Sequence, residues 1–209
     1  NWASFSADLA ETLKEDDAAG QGLLTFVDKS HALSRDAIPG DLVPLVAGKS
    51  YTAAREGLSL RSPAEAALGL MARAARLEGI SLVASSAYRS FDYQKKVYER
   101  NVKEMGEAAA SRESAKPGQS QHQLGTAVDF GSITDDFAET KASKWLTAHA
   151  SEYGWSLSFP KGYEPVTGYR WESWHYRYIG PRAARLTDTW VGGVQQYMIE
   201  YVSAWRAIR

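Results

Sequence analysis

Ser120-Gln121-His122-Gln123-Leu124-Gly125-Thr126-Ala127-Val128-Asp129 is the stretch of this 209-residue chain that says most about its fold. It places a histidine and a carboxylate seven residues apart, with a glycine between them. Lys116-Pro117-Gly118, just before it, breaks the preceding helical pattern, and residues 126–130 have the composition of a short strand. We therefore expect a loop that turns into a strand and brings His122 and Asp129 together.

A third metal-ligating residue follows in Trp171-Glu172-Ser173-Trp174-His175, where residues 174–179 are predicted to form a neighbouring strand. Two imidazoles and one carboxylate would leave the fourth position of a zinc ion open for water, as in catalytic zinc sites. The spacing alone leaves a structural role for His122 and His175 open. The other histidines, His31 and His149, are expected to be structural or surface residues. His149 lies in a predicted helix without acidic or histidine neighbours at metal-ligand spacing.

Composition excludes several classes of protein. The chain has no cysteine, so disulfides, thiolate zinc sites and a cysteine nucleophile are all excluded. Its 24 basic and 25 acidic residues nearly cancel, which argues against binding to nucleic acid or to an anionic membrane. No segment approaches the roughly 20 apolar residues that a transmembrane helix needs. Residues 1–5 lack an apolar signal segment, and composition leaves the compartment open.

The remaining pattern predicts an α+β fold in one domain over residues 1–209, with a small, mainly antiparallel sheet flanked by helices. Ser62-Pro63-Ala64-Glu65 offers a helix N-cap, a proline in the first turn and the acidic residue of a capping box. Helices are predicted over residues 1–14, 62–78, 90–106 and 137–153, and from about residue 189. Strands are predicted over residues 23–27, 80–84, 126–130, 155–159 and 174–179, with an extended loop from 28 to 49.

The motif Ser120-x-His122-x-x-Gly125-x-Ala127-x-Asp129, followed by Glu172-x-Trp174-His175, resembles the two signatures of the lysostaphin, D-Ala-D-Ala metallopeptidase and hedgehog superfamily. Within that superfamily the chain is similar to the VanY-type D,D-carboxypeptidases and the related L,D-carboxypeptidases. The resemblance includes Ala87-Tyr88-Arg89-Ser90 with Gln94 after it, and covers about residues 23–180. Residues 1–22 and 181–209 carry no assigned pattern and are expected to pack as helices around the core.

The resemblance implies a role for each of seven residues: zinc ligands His122, Asp129 and His175, catalytic Glu172 and Arg89, and substrate-binding Ser120 and Gln94. Glu172 would act as general base and Arg89 would stabilise charge on the scissile carbonyl oxygen. A surface ion pair for Arg89 and structural roles for Ser120 and Gln94 remain open alternatives. Residues three apart in a strand face opposite sides, so Glu172 and His175 require a turn or bulge between them.

The function implied by the resemblance is zinc-dependent removal of the C-terminal D-alanine from peptidoglycan stem peptides. The alternatives are an L,D-carboxypeptidase that acts on tetrapeptide stems and a catalytically silent, zinc-containing module that binds the cell wall. The family implies an extracytoplasmic location, and we expect a monomer. An aromatic stripe near the C-terminus is expected to be core packing in preference to a platform for sugars; it comprises Trp190, Tyr197, Tyr201 and Trp205.

Overall fold

A mixed set of short strands and helices makes up the computed structural model of the protein, which describes residues 2–18 and 22–208. The strands are β1 Leu42–Pro44, β2 Thr52–Ala53, β3 Ser59–Arg61, β4 Val83–Ser86, β5 Ala127–Phe130, β6 Trp155–Leu157 and β7 His175–Tyr178. The helices are α1 Trp2–Ala18, α2 Ser62–Leu77, α3 Phe91–Met105, α4 Glu107–Glu113, α5 Lys141–His149, α6 Glu164–Thr167, α7 Pro181–Val191 and α8 Gln195–Ala207. Single turns of 3₁₀ helix lie at Gln121–Leu124, Asp135–Glu139 and Ala150–Tyr153.

The central sheet has five strands in the order β2-β4-β5-β7-β6. Only the β2–β4 pair is parallel among the described strands of this sheet, and β4–β5, β5–β7 and β6–β7 are antiparallel. Strands β1 and β3 form a separate antiparallel pair. The small, mainly antiparallel sheet of an α+β fold is therefore confirmed.

The two faces of the sheet carry different kinds of side chain, apolar on one and polar on the other, because successive side chains of a strand point to opposite sides. On β5, Val128 and Phe130 enter the main hydrophobic core, and Asp129 between them points the other way. On β7, Tyr176 and Tyr178 enter the same core. Helices α2 and α5 also contribute to this core, with α2 burying Leu68, Met71, Ala72 and Ala75 among others. The face opposite the core is left for polar side chains.

A second hydrophobic cluster joins the two ends of the chain. Phe5, Leu9 and Leu13 of α1 are buried there, as the helical spacing of the sequence predicted. Residues of α7 and α8 complete the cluster, and Trp190, Tyr201 and Trp205 pack against it. Core packing is thus confirmed for these three aromatic residues, whereas Tyr197 is 41% exposed.

The predicted strand over residues 23–27 is wrong. Leu23, Leu24 and Val27 of this segment are buried and Phe26 is partly buried, but the backbone is irregular. Two of its backbone carbonyl oxygens, those of Leu23 and Thr25, accept hydrogen bonds from a side chain. The donor is the Nη2 atom of Arg177, at 2.7 Å from each oxygen. A buried arginine therefore takes the place of a strand partner. The predicted loop over residues 28–49 also contains one short strand, β1.

Two helix ends differ from the predictions. Helix α2 begins at Ser62, so Arg61 is the N-cap residue and the expected Ser62 capping box does not form. The Glu65 carboxylate instead accepts a hydrogen bond from the Tyr51 hydroxyl at 2.6 Å. The C-terminal segment forms two helices, not one, because Gly192 and Gly193 adopt positive φ angles of 62° and 79° between α7 and α8. Asn1, the first residue of the predicted N-terminal helix, lies outside the described residues.

None of the helices within residues 2–18 and 22–208 combines the length and the apolar character required to span a bilayer.

Candidate metal centre and active site

His122 is carried by the 3₁₀ turn Gln121–Leu124, which enters β5 through Gly125. Gly125 has a φ of 69°, a left-handed conformation that glycine adopts without strain. The turn is tied to the end of β4, because the Arg89 amide donates to the His122 carbonyl at 3.2 Å. The predicted change from loop to strand is confirmed, and it brings His122 over the polar face of the sheet.

Asp129 and His175 are direct cross-strand partners in the antiparallel pair β5–β7. His122 joins them from the 3₁₀ turn, and one potential ligand atom from each of the three residues lies within 4.8 Å of the others. All three side chains are buried, with exposures of 2% for His122, 3% for Asp129 and 4% for His175. The structure thus assembles the predicted metal triad.

The hydrogen bonds of both imidazoles fit a metal ion bound at this point. The Nδ1 atom of His122 lies 2.7 Å from the carbonyl oxygen of Ala87, so it carries the proton. The Nε2 atom of His175 lies 3.1 Å from the side-chain oxygen of Gln121 and carries the proton there. The other nitrogen of each ring then carries a lone pair. The Nε2 atom of His122 lies 3.1 Å from one Asp129 oxygen, and the Nδ1 atom of His175 lies 2.9 Å from the other. Acceptors that face one another in a buried site need a proton or a metal ion between them. A second carbonyl partner for each imidazole is typical of zinc ligands.

The protonation states point in the same direction. Burial, with a contribution from the Arg89 charge, lowers the pKa of His122 to about 4, so its ring is neutral at pH 7. Burial opposes ionisation of Asp129. At the low pH at which Asp129 would take up a proton, however, the His122 ring is itself protonated, and its charge and hydrogen bonds from the His122 and His175 rings hold the pKa of Asp129 well below its ordinary value. The site therefore presents a neutral imidazole and a carboxylate, both in the form that binds metal.

Glu172 lies beside the triad, as predicted. The chain turns between Glu172 and His175, whose amide donates to the Glu172 carbonyl at 3.4 Å, so both side chains reach the same space. The required turn is therefore confirmed. The Glu172 Oε2 atom lies 3.6 Å from the Nδ1 atom of His175. Burial, reinforced by the charge of Asp129, raises the pKa of Glu172 well above its ordinary value, which suits a group that exchanges protons near neutral pH.

Arg89 lies on the other side of Asp129. Its Nη2 atom is 3.4 Å from an Asp129 oxygen, and its Nη1 atom donates to the Gln94 side-chain oxygen at 2.8 Å. Burial lowers the pKa of Arg89, opposed by the Asp129 and Glu172 charges, and an arginine still remains protonated in proteins. Its Nε atom has no hydrogen-bond partner within the described part of the chain. The guanidinium is a fixed cation inside the site and not a surface ion pair.

The two predicted substrate-binding residues are buried and already engaged by the protein. Gln94 holds Arg89 with its oxygen and donates from its nitrogen to the Ala115 carbonyl at 2.7 Å. The Ser120 hydroxyl accepts a hydrogen bond from the His122 amide at 3.3 Å and so caps the 3₁₀ turn. Both residues line the site, and their direct contact with a substrate stays a prediction.

A cavity of about 510 Å³ opens over the triad. Its volume is in the range of small-molecule sites. Besides the seven predicted residues, the wall includes Arg55, Tyr93, Arg100, Glu113, Ile133 and Phe159.

The carbonyl partners of the two imidazoles could not be predicted from the sequence. Gln121 lies inside the histidine motif, directly before His122. A polar residue next to a candidate ligand is the sequence feature that could have indicated its role. The Ala87 carbonyl belongs to the backbone and carries no signal in the residue type. Ser158 and Gln195, which contact Gln121, lie 37 and 74 residues away from it.

The site combines a buried His–Asp–His set, which is open to a cavity, with a carboxyl group and a guanidinium. These are the groups that a zinc hydrolase uses. The chain belongs to the VanY family: the family model described as D-alanyl-D-alanine carboxypeptidase matches residues 57–181.

Individual relatives agree with this assignment. YodJ of Bacillus subtilis (strain 168), designated a carboxypeptidase, is 36% identical over 172 residues, which are 79% of this chain and 63% of YodJ. The chain spans less than two thirds of the length of this and the other curated relatives that it matches. The LdcB LD-carboxypeptidase structure has a TM-score of 0.78 and 33% identity, and the alignment covers 86% of each chain. VanY from the VanB-type resistance cassette, in complex with Zn(II), has a TM-score of 0.70 and 26% identity over 84% of this chain and 98% of that one.

Proposed function

We propose that this protein is a zinc-dependent carboxypeptidase that removes the C-terminal D-alanine from peptidoglycan stem peptides. The observation that carries the proposal is the meeting of the His122–Asp129–His175 set with Glu172 and Arg89 at one cavity. In this proposal the three triad residues hold zinc through His122 Nε2, His175 Nδ1 and the Asp129 carboxylate. Bound zinc polarises a carbonyl group and lowers the pKa of water from about 15.7 to about 7.

Glu172 and Arg89 have separate tasks in the hydrolysis. The Glu172 carboxylate takes a proton from the attacking water while the water oxygen bonds to the carbonyl carbon. The same carboxyl group then returns the proton to the amine nitrogen as the C–N bond breaks, which releases D-alanine. The Arg89 guanidinium faces the negative charge that develops on the carbonyl oxygen. Gln94 keeps the guanidinium in place through its 2.8 Å hydrogen bond.

An L,D-carboxypeptidase that acts on tetrapeptide stems is the second candidate. It is favoured by one observation: the LdcB LD-carboxypeptidase structure is 33% identical to this chain, whereas the zinc-bound VanY structure is 26% identical. A catalytically silent binding module has less support, because it has no use for a buried carboxyl group with a raised pKa beside the metal ligands.

The experiment that tests the proposal is incubation of the zinc-loaded protein with pentapeptide and tetrapeptide stems, with released D-alanine identified by mass spectrometry. Release from the pentapeptide supports the first candidate. Release from the tetrapeptide alone supports the second. A zinc-loaded protein that releases D-alanine from neither peptide contradicts both and favours the binding module. Protein treated with a chelator is the control and is expected to be inactive.

The proposed substrate also implies where the protein acts. A stem peptide of the cell wall is found outside the cytoplasm, so we propose an extracytoplasmic site of action, and we propose that the active form is a monomer. Cell fractionation tests the location and analytical ultracentrifugation tests the mass, for which a monomer of this chain predicts 23.0 kDa.

A further inference from the structure

Helix α8 reaches the metal site although it lies outside residues 57–181, which match the family model. Its first residue, Gln195, is 1% exposed and belongs to a cluster of buried polar side chains. The other members are His175, Gln121 and Ser158, with exposures of 4%, 8% and 2%. Buried polar groups need hydrogen-bond partners, and these side chains supply them to one another.

The hydrogen bonds of this cluster have one consistent direction. The Gln195 nitrogen donates to the backbone carbonyl of Ser156 at 3.1 Å, and a carbonyl only accepts. The Gln195 oxygen must therefore face the buried cluster, where it accepts from the Gln121 nitrogen at 3.5 Å. This is the longest hydrogen bond of the cluster. Gln121 in turn presents its oxygen to His175 at 3.1 Å. A fixed carbonyl in β6 thus sets the orientation of both amides.

Ser158 reinforces this orientation. Its hydroxyl donates to the Gln121 oxygen at 2.7 Å and lies 3.4 Å from the Gln195 oxygen. A Gln121 amide turned by 180° would place its oxygen against the Gln195 oxygen and would take away the acceptor that the Ser158 hydroxyl has at 2.7 Å. The orientation with the oxygen toward His175 is therefore the one that satisfies every group.

The consequence for the metal site is the choice of ring nitrogen. An imidazole whose Nε2 atom donates to Gln121 has its lone pair on Nδ1, the atom that lies 2.9 Å from Asp129. Partners of this kind fix the tautomer and the ring orientation of metal-ligating histidines. The tautomer of His175 with Nδ1 free to bind a metal ion is therefore stabilised by hydrogen bonds that connect Gln195 to Gln121 and Gln121 to His175.

We propose that Gln195 is a positioning residue of the metal site: by orienting the Gln121 amide it keeps the proton on Nε2 of His175 and leaves Nδ1 for the metal. This inference rests on the proposed function, in which His175 is a zinc ligand. It gives the C-terminal helices a role in catalysis beyond packing.

Attachment of α8 to the rest of the molecule does not depend on this cluster. Met198, Ile199 and Val202 of α8 are at most 2% exposed and belong to the hydrophobic cluster shared with α1 and α7. Loss of the Gln195 amide therefore leaves the main contacts of the helix in place. The positioning effect can be measured in a folded protein.

The test is a comparison of zinc affinity, measured by competition with a chromogenic chelator, for the wild type, Gln195→Met and Gln121→Met. Outer partners of metal ligands typically contribute about 10- to 100-fold to affinity or activity. We expect Gln121→Met to weaken zinc binding by about 10- to 100-fold and Gln195→Met by about tenfold. Thr187→Val is the matched control, because its hydroxyl is also fully buried in the C-terminal region but bonds to the Ala183 carbonyl at 2.9 Å, within α7. It should keep wild-type zinc affinity.

The double variant separates positioning from a general loss of stability. If Gln195 acts through Gln121, then Gln195→Met in the Gln121→Met background causes no further loss of zinc affinity. Equal losses in both backgrounds, or wild-type affinity in Gln195→Met, would overturn the inference. Circular dichroism of the zinc-free proteins verifies folding, and Gln195→Asn, which shortens the side chain and keeps an amide, replaces Gln195→Met if that variant does not fold.

The same measurements distinguish this inference from the proposed function. A wild-type protein that binds zinc and releases D-alanine, together with Gln195→Met of equal affinity, rejects the inference alone. A wild-type protein that binds no zinc rejects the proposed function and the inference with it.

Discussion

Asp129 lies at the centre of the site, and its surroundings explain how a carboxylate stays ionised when it is almost completely buried. Two ring nitrogens and the Arg89 guanidinium lie within 3.4 Å of its oxygens. Burying a charge is costly unless other groups compensate for it. Here the Arg89 guanidinium supplies one positive charge, and a metal ion bound between the two ring nitrogens and the carboxylate would supply the other. The residues that hold this one carboxylate also supply the proposed ligands and the proposed oxyanion cation.

Glu172→Gln isolates the proton-transfer role proposed for this residue, because the amide keeps the size of the side chain and can still form hydrogen bonds. We expect hydrolysis of the preferred stem peptide to fall by about 10²- to 10⁴-fold, the usual contribution of general acid–base catalysis. Zinc affinity should be close to that of the wild type, since Glu172 is not in the proposed ligand set. Steady-state release of D-alanine and chelator competition measure the two quantities, and a variant with full activity would exclude Glu172 as the base.

Arg89→Met removes the cation that, in the proposed mechanism, faces the scissile carbonyl. The expected result is a fall in kcat of about 10²- to 10³-fold with a smaller change in KM, as for the loss of an oxyanion donor. Arg73→Met, on an exposed position of α2, is the control and should leave both constants unchanged. An unchanged kcat in Arg89→Met would mean that the guanidinium only compensates the Asp129 charge.

At the scale of elements, the turn between the 3₁₀ helix Gln121–Leu124 and β5 determines where His122 lies relative to Asp129. Gly125 makes this turn with a φ of 69°, and its carbonyl accepts a hydrogen bond from the Arg61 amide at 2.8 Å. A Cβ atom at this position would lie 2.9 Å from the Arg61 Cγ atom and 3.0 Å from the Leu42 Cδ2 atom. The glycine is therefore required by its backbone conformation and by the close approach of β1 and β3.

Gly125→Ala is expected to lower the free energy of unfolding by about 1–3 kcal/mol, the cost of a strained left-handed residue. Gly69→Ala is the matched control: Gly69 lies inside α2, and no atom approaches the position of an added Cβ within 4 Å. The control should stabilise the protein by about 0.5–1 kcal/mol, because alanine loses less backbone entropy in a helix. Urea denaturation measures both effects, and a shift in the same direction for the two variants would contradict this explanation.

At the scale of the whole molecule, the proposed zinc ligands connect parts of the chain that are distant in sequence. His122 and His175 are separated by 53 positions, and the sheet that carries them shares its core with α2 and α5. A ligand that binds only the folded state stabilises it through mass action. If residues 1–209 form one domain, as predicted, then zinc should stabilise all of its elements together.

Zinc at about 100 times its dissociation constant should therefore stabilise the fold by about 2.7 kcal/mol and raise the midpoint of a single thermal transition. Far-UV circular dichroism and tryptophan fluorescence should report the same midpoint, as expected for two-state unfolding. His122→Gln should abolish the zinc-dependent shift. His149→Gln should keep it, because His149 is paired with Glu152 away from the site. Two separate transitions, only one of them sensitive to zinc, would argue against a single domain.

Many features of the fold and the candidate site could be predicted from local patterns in the sequence. The spacing of His122, Asp129 and His175, the turn before His175 and the helical periods of α1, α2 and α3 are all local properties of the chain. Local patterns indicate local geometry, and the motifs placed the candidate ligands on the right elements. The positions of Glu172 and Arg89 beside the triad also agree with the predictions.

The way in which these residues are held in place could not be predicted, because it depends on contacts between distant segments. The orientation of Gln121 by Gln195, the use of Gln94 to hold Arg89, and the replacement of a strand at residues 23–27 by hydrogen bonds from Arg177 all came from the three-dimensional contacts. Most of these contacts join residues that lie far apart in the chain, 74 positions for Gln121 and Gln195 and 154 for Leu23 and Arg177. Residue types and their periodicity describe what a segment favours on its own, whereas the partner of a buried polar group depends on which segments the folded core brings together.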